Sequence, residues 1–486
     1  MRPELRRDVV TGVGWAFLSS SSVRAMQVLT TLILAKLLQP QDFGIFALSS
    51  LIINAAAVLR DVGFAQVVIY RQADIRKTAG TALTLTLISS LVLAMLLGMC
   101  APLLSSAFNS PEITLPVRVM SVGLLISGMA SVPSAILDKY LKFRKRAIPE
   151  ILSAVAYAVT SLILAKVGFA AWSLIIGWMA MSIVNTAAIW SICPTRPSFS
   201  FDSSEARVIV GYGKHLMVAS LATFAFFQID NASIGKWLGM TALGFYSMAF
   251  TICNLPATNL AHIVQRVMFP AYSQLQDNTP EMGAVYLKTV RYIALAAFPA
   301  AAAIFVLAGS AIRVLYDSMW IPAIPLFGIL AIYGAIRSVG STANAVFMST
   351  GRPNLSQQVS LLQIAIVTPL VYPVVVYVGV KGVAVLFTVA YTLTAVFALT
   401  RVFRILDLNV RSFANSLAMP LCAAVLTGIL IWLVLRSLAS HSLIGIICVS
   451  ILFCVTYTLL ILLLDRRVYG RLTETLCECQ EHKTIV

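Results

Sequence analysis

Long apolar runs alternate with short polar breaks along the whole chain, and the runs set the expected architecture. Crossing a hydrocarbon core about 30 Å thick takes roughly 20 apolar residues in helical form. Segments near 10–38, 43–69, 78–101, 116–139, 147–167, 170–193 and 208–238 are long enough. So are 243–273, 284–313, 322–348, 355–379, 382–402, 413–436 and 441–464, giving about 14 predicted spans. The breaks carry helix stop and start signals. Pro40-Gln41-Asp42 reads as a stop followed by an Asp N-cap, and Gly351-Arg352-Pro353 and Val380-Lys381-Gly382 are similar breakers. Helical periodicity is weak, as expected of spans that are apolar on most sides. The pattern predicts an all-α polytopic membrane protein with no soluble domain.

An internal repeat organises these spans. Shifting the sequence by 200 residues matches Lys36 with Lys236, Leu38 with Leu238 and Gly44 with Gly244; Ser20, Ile52 and Asn54 meet Ser220, Ile252 and Asn254. Six spans, an even number, separate the copies, so both halves share one orientation and are related by an axis along the membrane normal. The expected domains are a bundle over 1–200 (spans 1–6), a second over 201–405 (spans 7–12), and 406–486 with the last two spans and a short cytoplasmic tail. A repeat of this kind places a binding site where the halves meet.

Composition agrees. Of 486 residues, 59% are hydrophobic and only 11% charged, against about a quarter charged in soluble domains. The net charge of +16 does not point to nucleic acid, because the basic residues occupy short connections rather than a stripe interleaved with aromatics. Twenty-three of the 35 Lys and Arg residues fall on one predicted side and seven on the other. The positive-inside bias puts the richer side and both termini in the cytoplasm. MRPELRRDVV resembles a signal n-region, but the apolar run behind it is too long and contains Arg24, so it reads as a retained first span. The eight cysteines are scattered. Cys477-x-Cys479 has no second pair at zinc spacing, so neither a disulfide framework nor a metal site is expected.

The chemistry lies in the polar residues inside the spans. Arg24, Arg60, Lys214, Arg266 and Arg337 stand against Asp61 and Asp230. Arg24 and Arg337 each fall about 15 residues into a span, near the midplane at about 1.5 Å per residue. Intramembrane charges are costly and usually face a protein-lined cavity. Arg60-Asp61 reads equally as a local structural pair. Lys214 and Arg266 lie in the cytoplasmic half, where they can also snorkel to headgroups. Gln27 and Asn254 add polar groups near the repeat junction. Asp230 either holds a coupling ion or neutralises an arginine. Guanidinium groups bind phosphate oxygens bidentately and stay charged, so a cationic cavity open to lipid suits a phosphate- or pyrophosphate-bearing amphiphile. There is no metal-ligand cluster, no Ser-His-Asp order and no phosphate-cradling loop, so no enzyme and no cofactor are expected.

LAKLLQPQDFG (34–44), QIDNASIGKWLGMTALGFYSMAF (228–250), RVMFPAYSQLQ (266–276) and the basic YLKFRKRA (140–147) resemble the bacterial polysaccharide-transporter family. These are oligosaccharide-lipid flippases of the multidrug/oligosaccharidyl-lipid/polysaccharide exporter superfamily. The resemblance implies fourteen spans in two bundles and alternating access. It implies movement of undecaprenyl-diphosphate-linked repeat units from the cytoplasmic to the periplasmic leaflet, for exopolysaccharide or O-antigen-type polysaccharide. The partners it implies are the polyprenyl diphosphate sugar, membrane lipids, a polysaccharide polymerase and a chain-length regulator. On this reading Arg24 and Arg337 contact the diphosphate, Arg60, Lys214 and Arg266 recruit it, and Gln27 and Asn254 line the cavity. The alternatives are a lipid II flippase of peptidoglycan synthesis, a drug/cation antiporter (whose cavity should be acidic), and, from another class, a membrane polysaccharide polymerase. The last usually needs a large extramembrane loop, and the longest connections here are about a dozen residues.

Overall fold

A computed structural model of the chain describes residues 3–61, 64, 67–68, 75–140, 142–263, 268–316, 318–437 and 443–464. Among the described residues every long element is a helix and none is a strand. Eleven of these helices are long and apolar enough to cross a membrane. The chain divides into two compact units, residues 1–248 with 369–383, and residues 249–368 with 384–486.

The first unit holds α1 (Pro3–Leu37), α2 (Pro40–Arg60), α3 (Ile75–Ala107), α4 (Thr114–Lys139), α5 (Phe143–Lys166), α6 (Ala171–Ile192) and α7 (Ser203–Trp237), and it takes in most of α8 (Gly239–Cys253). α1 and α7 are 35 residues each, begin and end 200 positions apart, and each carries a lysine in its last turn. At about 1.5 Å per residue they run ~52 Å, longer than a hydrocarbon core. The elbow after α1 departs from the expected Asp N-cap. Gln39 caps α2 instead, Pro40 takes the first helical position, and the Asp42 carboxylate accepts the Gln39 N–H at 2.9 Å. Proline has no N–H to lose there and its φ is already helical, so the helix starts before the aspartate.

The two repeated elbows meet. A Cβ on Gly44 would stand 1.8 Å from the Met240 carbonyl oxygen, and a Cβ on Gly244 would stand 1.7 Å from the Pro40 carbonyl oxygen. Residues 40 and 240 are themselves repeat partners, so the contact is reciprocal, as a local two-fold requires. Only glycine lets two helix starts approach this closely.

The second unit contains α9 (Leu255–Ile263), α10 (Phe269–Gln274), α11 (Thr279–Leu315), α12 (Ile324–Gly340), α13 (Thr342–Ser349), α16 (Val410–Ser437) and α17 (Leu443–Leu464), with the first part of α14 (Pro353–Val378) and most of α15 (Val380–Leu406). Its core gathers Tyr286, Val290, Phe347, Val402 and Leu406, all fully buried or nearly so. One predicted span is broken. The stretch 243–273 is not one helix: α8 stops at Cys253, α9 follows, and α10 starts at Phe269. Pro256 lacks the N–H that would have bonded back one turn, and its ring crowds the carbonyl there. The stretch 322–348 lies within Ser318–Ser349, long and apolar enough to span, with only Ser341 between α12 and α13. Ser341 keeps helical φ and ψ of −62° and −20°, and its N–H still donates to the Arg337 carbonyl at 3.0 Å, while the Ser338, Ser341 and Thr342 hydroxyls donate to the Gly334, Ser338 and Val339 carbonyls at 2.8, 2.9 and 2.7 Å.

Candidate functional site

In the first unit, Arg60 is held on all sides. Its Nε and Nη2 donate to the Asp61 carboxylate at 2.9 and 3.0 Å. Its Nη1 donates to the Leu124 carbonyl at 2.9 Å and the Ser127 hydroxyl at 2.8 Å. Those bonds engage four of the five N–H donors that a guanidinium carries, and the residue is only 6% exposed. The last turn of α2 supplies the arginine and α4 the acceptors. This is the geometry of the local structural pair, extended across to a neighbouring helix.

Arg24 and Gln27 sit on α1, both half-buried. The Gln27 carbonyl accepts the Thr31 hydroxyl at 2.8 Å. Asp230, on α7, is buried (1% exposed). One carboxylate oxygen accepts the Tyr246 hydroxyl at 2.7 Å and the other the Asn231 N–H at 2.8 Å, while the Asn231 side-chain amide donates to Gln228 at 2.9 Å. The Lys214 backbone belongs to α7, but its side chain lies outside the described residues, and Arg266 lies outside them entirely.

In the second unit, the break after α8 becomes part of a polar cluster. Arg337 on α12 donates through Nη1 to the Asn254 amide oxygen at 3.1 Å and to the Tyr333 hydroxyl at 3.3 Å. Its guanidinium carbon lies 5.8 Å from the Tyr333 ring centre. Tyr333 is in turn wedged between Phe250 at 5.8 Å and Tyr391 at 5.4 Å, centre to centre. The approach depends on Gly334, where a Cβ would fall 2.2 Å from the Cys253 carbonyl oxygen. The structure therefore brings Arg337 and Asn254 together, 83 residues apart in sequence.

Another face of α12 is apolar. Ile332, Ala335 and Ile336 line a cavity of about 800 Å³ with Phe298 and Phe305 of α11 and Trp432 of α16. It is open on one side, where Phe305, Ile332 and Trp432 are about half exposed. One helix thus carries a guanidinium on one side and lines an apolar chamber with another. Sequence reasoning missed Tyr333 and Tyr391. The first was accessible, because a residue four positions before Arg337 shares its helix face; the second comes from a distant helix and left no local signal. Among the described residues no three His, Cys, Asp or Glu side chains cluster as a metal site.

The family described as polysaccharide biosynthesis protein matches residues 33–325. The chain is 25% identical over 343 residues to the succinoglycan biosynthesis transport protein ExoT of Rhizobium meliloti, covering 70% of this chain and 69% of that one. It is 22% identical over 354 residues to the lipopolysaccharide biosynthesis protein WzxC of Escherichia coli, covering 72% of each. Among solved structures it resembles the lipid II flippase MurJ in an inward closed conformation, with a TM-score of 0.73 at 14% identity over 93% of this chain and 99% of that one. It also resembles an inward-facing multidrug resistance MATE transporter of the MOP superfamily, with a TM-score of 0.63 at 18% identity over 79% and 95%. The chain belongs to the polysaccharide biosynthesis protein family and has the fold of MOP superfamily transporters.

Proposed function

We propose that the protein moves polyprenyl-diphosphate-linked oligosaccharide repeat units across the bacterial inner membrane by alternating access, delivering them for exopolysaccharide or O-antigen-type assembly. The observation that carries this reading is α12 itself. The substrate is an amphiphile with a diphosphate head and an isoprenoid tail, and α12 carries Arg337 on one face while lining an apolar chamber with another. Asn254 and Tyr333 orient the guanidinium, and the chamber matches hydrocarbon. A positively charged lining favours diphosphate and disfavours organic cations, which argues against drug efflux. The spans carry more cations than acids, and that supports the same choice.

Arg337 is proposed as a diphosphate contact, and Arg24, half-buried on α1, as another. Lys214 and Arg266 remain proposed recruiters of the headgroup, Gln27 a polar lining residue, and Asp230 the coupling carboxylate, with Tyr246 as its hydrogen-bond donor. Arg60 is better suited to bracing α2 on α4 than to capturing substrate, given its bonding. Both termini are proposed to face the cytoplasm. A polymerase and a chain-length regulator would act on the delivered units.

The test is complementation of a deletion strain, reading surface polysaccharide, stalled lipid-linked repeat units and membrane protein level together. Arg337→Ala should abolish export and accumulate lipid-linked units at wild-type protein level. Arg337→Lys should recover part of the activity at most, because an ammonium keeps the charge and loses the planar fork. Normal growth of the deletion strain separates this role from peptidoglycan precursor export. Wild-type export by both Arg24→Ala and Arg337→Ala, at normal expression, would end the proposal.

A further inference from the structure

Three helix ends meet at one edge of the second unit. α13 closes at Ser349, the chain turns through Gly351 at φ 67°, and α14 begins at Pro353. The last turns of α15 run beside this turn. α14 and α15 are both long and apolar enough to span, and Gly379 alone separates them. The start of α14 and the end of α15 therefore return to the same membrane boundary. A cavity of about 440 Å³ lies there, lined by Arg352, Asn354, Arg401 and Arg404 with Leu355 and Ile405 as its apolar members.

Three guanidinium groups sharing one cavity is an arrangement that repels itself unless an anion sits among them. Among the described residues no carboxylate pairs with Arg352, Arg401 or Arg404. Arg401 and Arg404 are three apart and share one face of α15. The Arg401 guanidinium carbon lies 5.0 Å from the Phe397 ring centre, which steadies it. Arg352 and Arg404 are exposed and Arg401 half-buried, so the cavity is open to a ligand. The first turn of α14 adds the positive end of a 26-residue helix.

We infer that this cavity is a phosphate-binding site, taking the headgroup phosphate of an anionic phospholipid. Guanidinium groups match phosphate oxygens in bidentate fashion. Basic pockets at the ends of membrane helices, with apolar residues alongside, are where anionic headgroups bind. The turn Gly351-Arg352-Pro353, which reads in the sequence as a simple helix breaker, thereby gains a role. The site shares no lining residue with the proposed diphosphate contacts and does not depend on the transport reading.

The test uses the purified full chain in a nonionic detergent, with dihexanoyl phosphatidylglycerol, dihexanoyl phosphatidylcholine and inorganic phosphate as probes and calorimetric titration as the readout. The triple variant Arg352→Gln, Arg401→Gln, Arg404→Gln should bind phosphatidylglycerol ~100-fold more weakly, about fivefold per arginine, which is ~1 kcal/mol each. The zwitterionic lipid should bind wild-type weakly and lose little. Inorganic phosphate binding as tightly as the lipid, with the same loss in the variant, would keep the phosphate site and make free phosphate its occupant. Arg404→Glu, at an exposed position, is the second variant and should weaken phosphatidylglycerol by more than the fivefold of simple charge removal. Equal phosphatidylglycerol affinity in wild-type and both variants, at matched melting temperatures, would overturn the inference.

Discussion

Adding one methyl group at either elbow glycine should unseat the junction between the repeats. In the folded protein a Cβ on Gly44 would lie 1.8 Å from the Met240 carbonyl oxygen and 2.6 Å from its carbonyl carbon. Comfortable carbon-to-oxygen contact begins at about 3.3 Å, so the two helix starts would have to part by roughly 1.5 Å. The obstacle is backbone, fixed by the first turn of α8, and no side chain can rotate out of the way. Overpacking in a well-filled interior typically costs about 1–3 kcal/mol, and Gly44→Ala belongs at or above the top of that range. Gly244→Ala should behave alike, since its Cβ meets the Pro40 carbonyl oxygen at 1.7 Å. The double variant should cost less than the two singles together, because the first methyl opens the gap that the second then occupies; contacting residues rarely add.

Gly98→Ala is the control. It lies within α3, where a Cβ would meet nothing within 4 Å, and alanine is the better helix former by about 0.8–1.0 kcal/mol. The assay is thermal unfolding of purified protein in detergent, alongside membrane protein level. Gly44→Ala and Gly244→Ala should melt well below wild-type while Gly98→Ala melts at or above it. If both elbow variants melt with wild-type, the reciprocal backbone contact is not what holds these helix starts together.

Two further outcomes follow from the local geometry. Ser127→Ala should lower stability by ~1.5–3 kcal/mol, the usual range for a hydrogen bond to a charged group, while export per folded molecule holds; lost export at unchanged stability would instead make Arg60 a substrate contact. Asp202 caps α7 by accepting the Ser204 hydroxyl and backbone N–H at 2.5 and 2.8 Å. The Ser204 hydroxyl, followed by the Glu205 and Ser204 N–H groups, holds its carboxyl below the ordinary value. A depressed folded value adds stability above the unfolded one, near 3.9, and that stability is lost as pH falls through the folded value. The melting-temperature gap between wild-type and Asp202→Asn should therefore be fully open at neutral pH and close in acid; a gap independent of pH would mean that the charge does not contribute.

Much of the fold was legible because membrane spanning imposes a length. Hydropathy located the helices, and the 200-residue shift paired α1 with α7 and Gly44 with Gly244 before any contact was known. What hydropathy averages away are interruptions inside a span. Pro256 was visible as a residue, but the apolar window around it stayed high, so 243–273 read as one helix. The arginines were found by their cost in lipid, yet their partners were not. Leu124 and Ser127 lie more than 60 residues from Arg60, and Asn254 lies 83 from Arg337. The basic cavity at Arg352 was hidden for the same reason, since Arg401 and Arg404 belong to a different helix.

An intramembrane arginine can be expensive for two different ends, and the partner's chemistry separates them. Arg60 spends its donors on a carboxylate, a carbonyl and a hydroxyl. The adjacent negative charge shortens the reach of its field, and what remains is a rigid joint between α2 and α4. Arg337 is oriented by an amide oxygen and a phenol. Those acceptors and the Tyr333 ring 5.8 Å away fix the direction of its guanidinium. Two residues identical in type are thereby held in different ways: Arg60 ties α2 to α4 with four donors engaged, while Arg337 is aimed across the gap between α8 and α9, where its proposed contact with diphosphate is what Arg337→Ala tests.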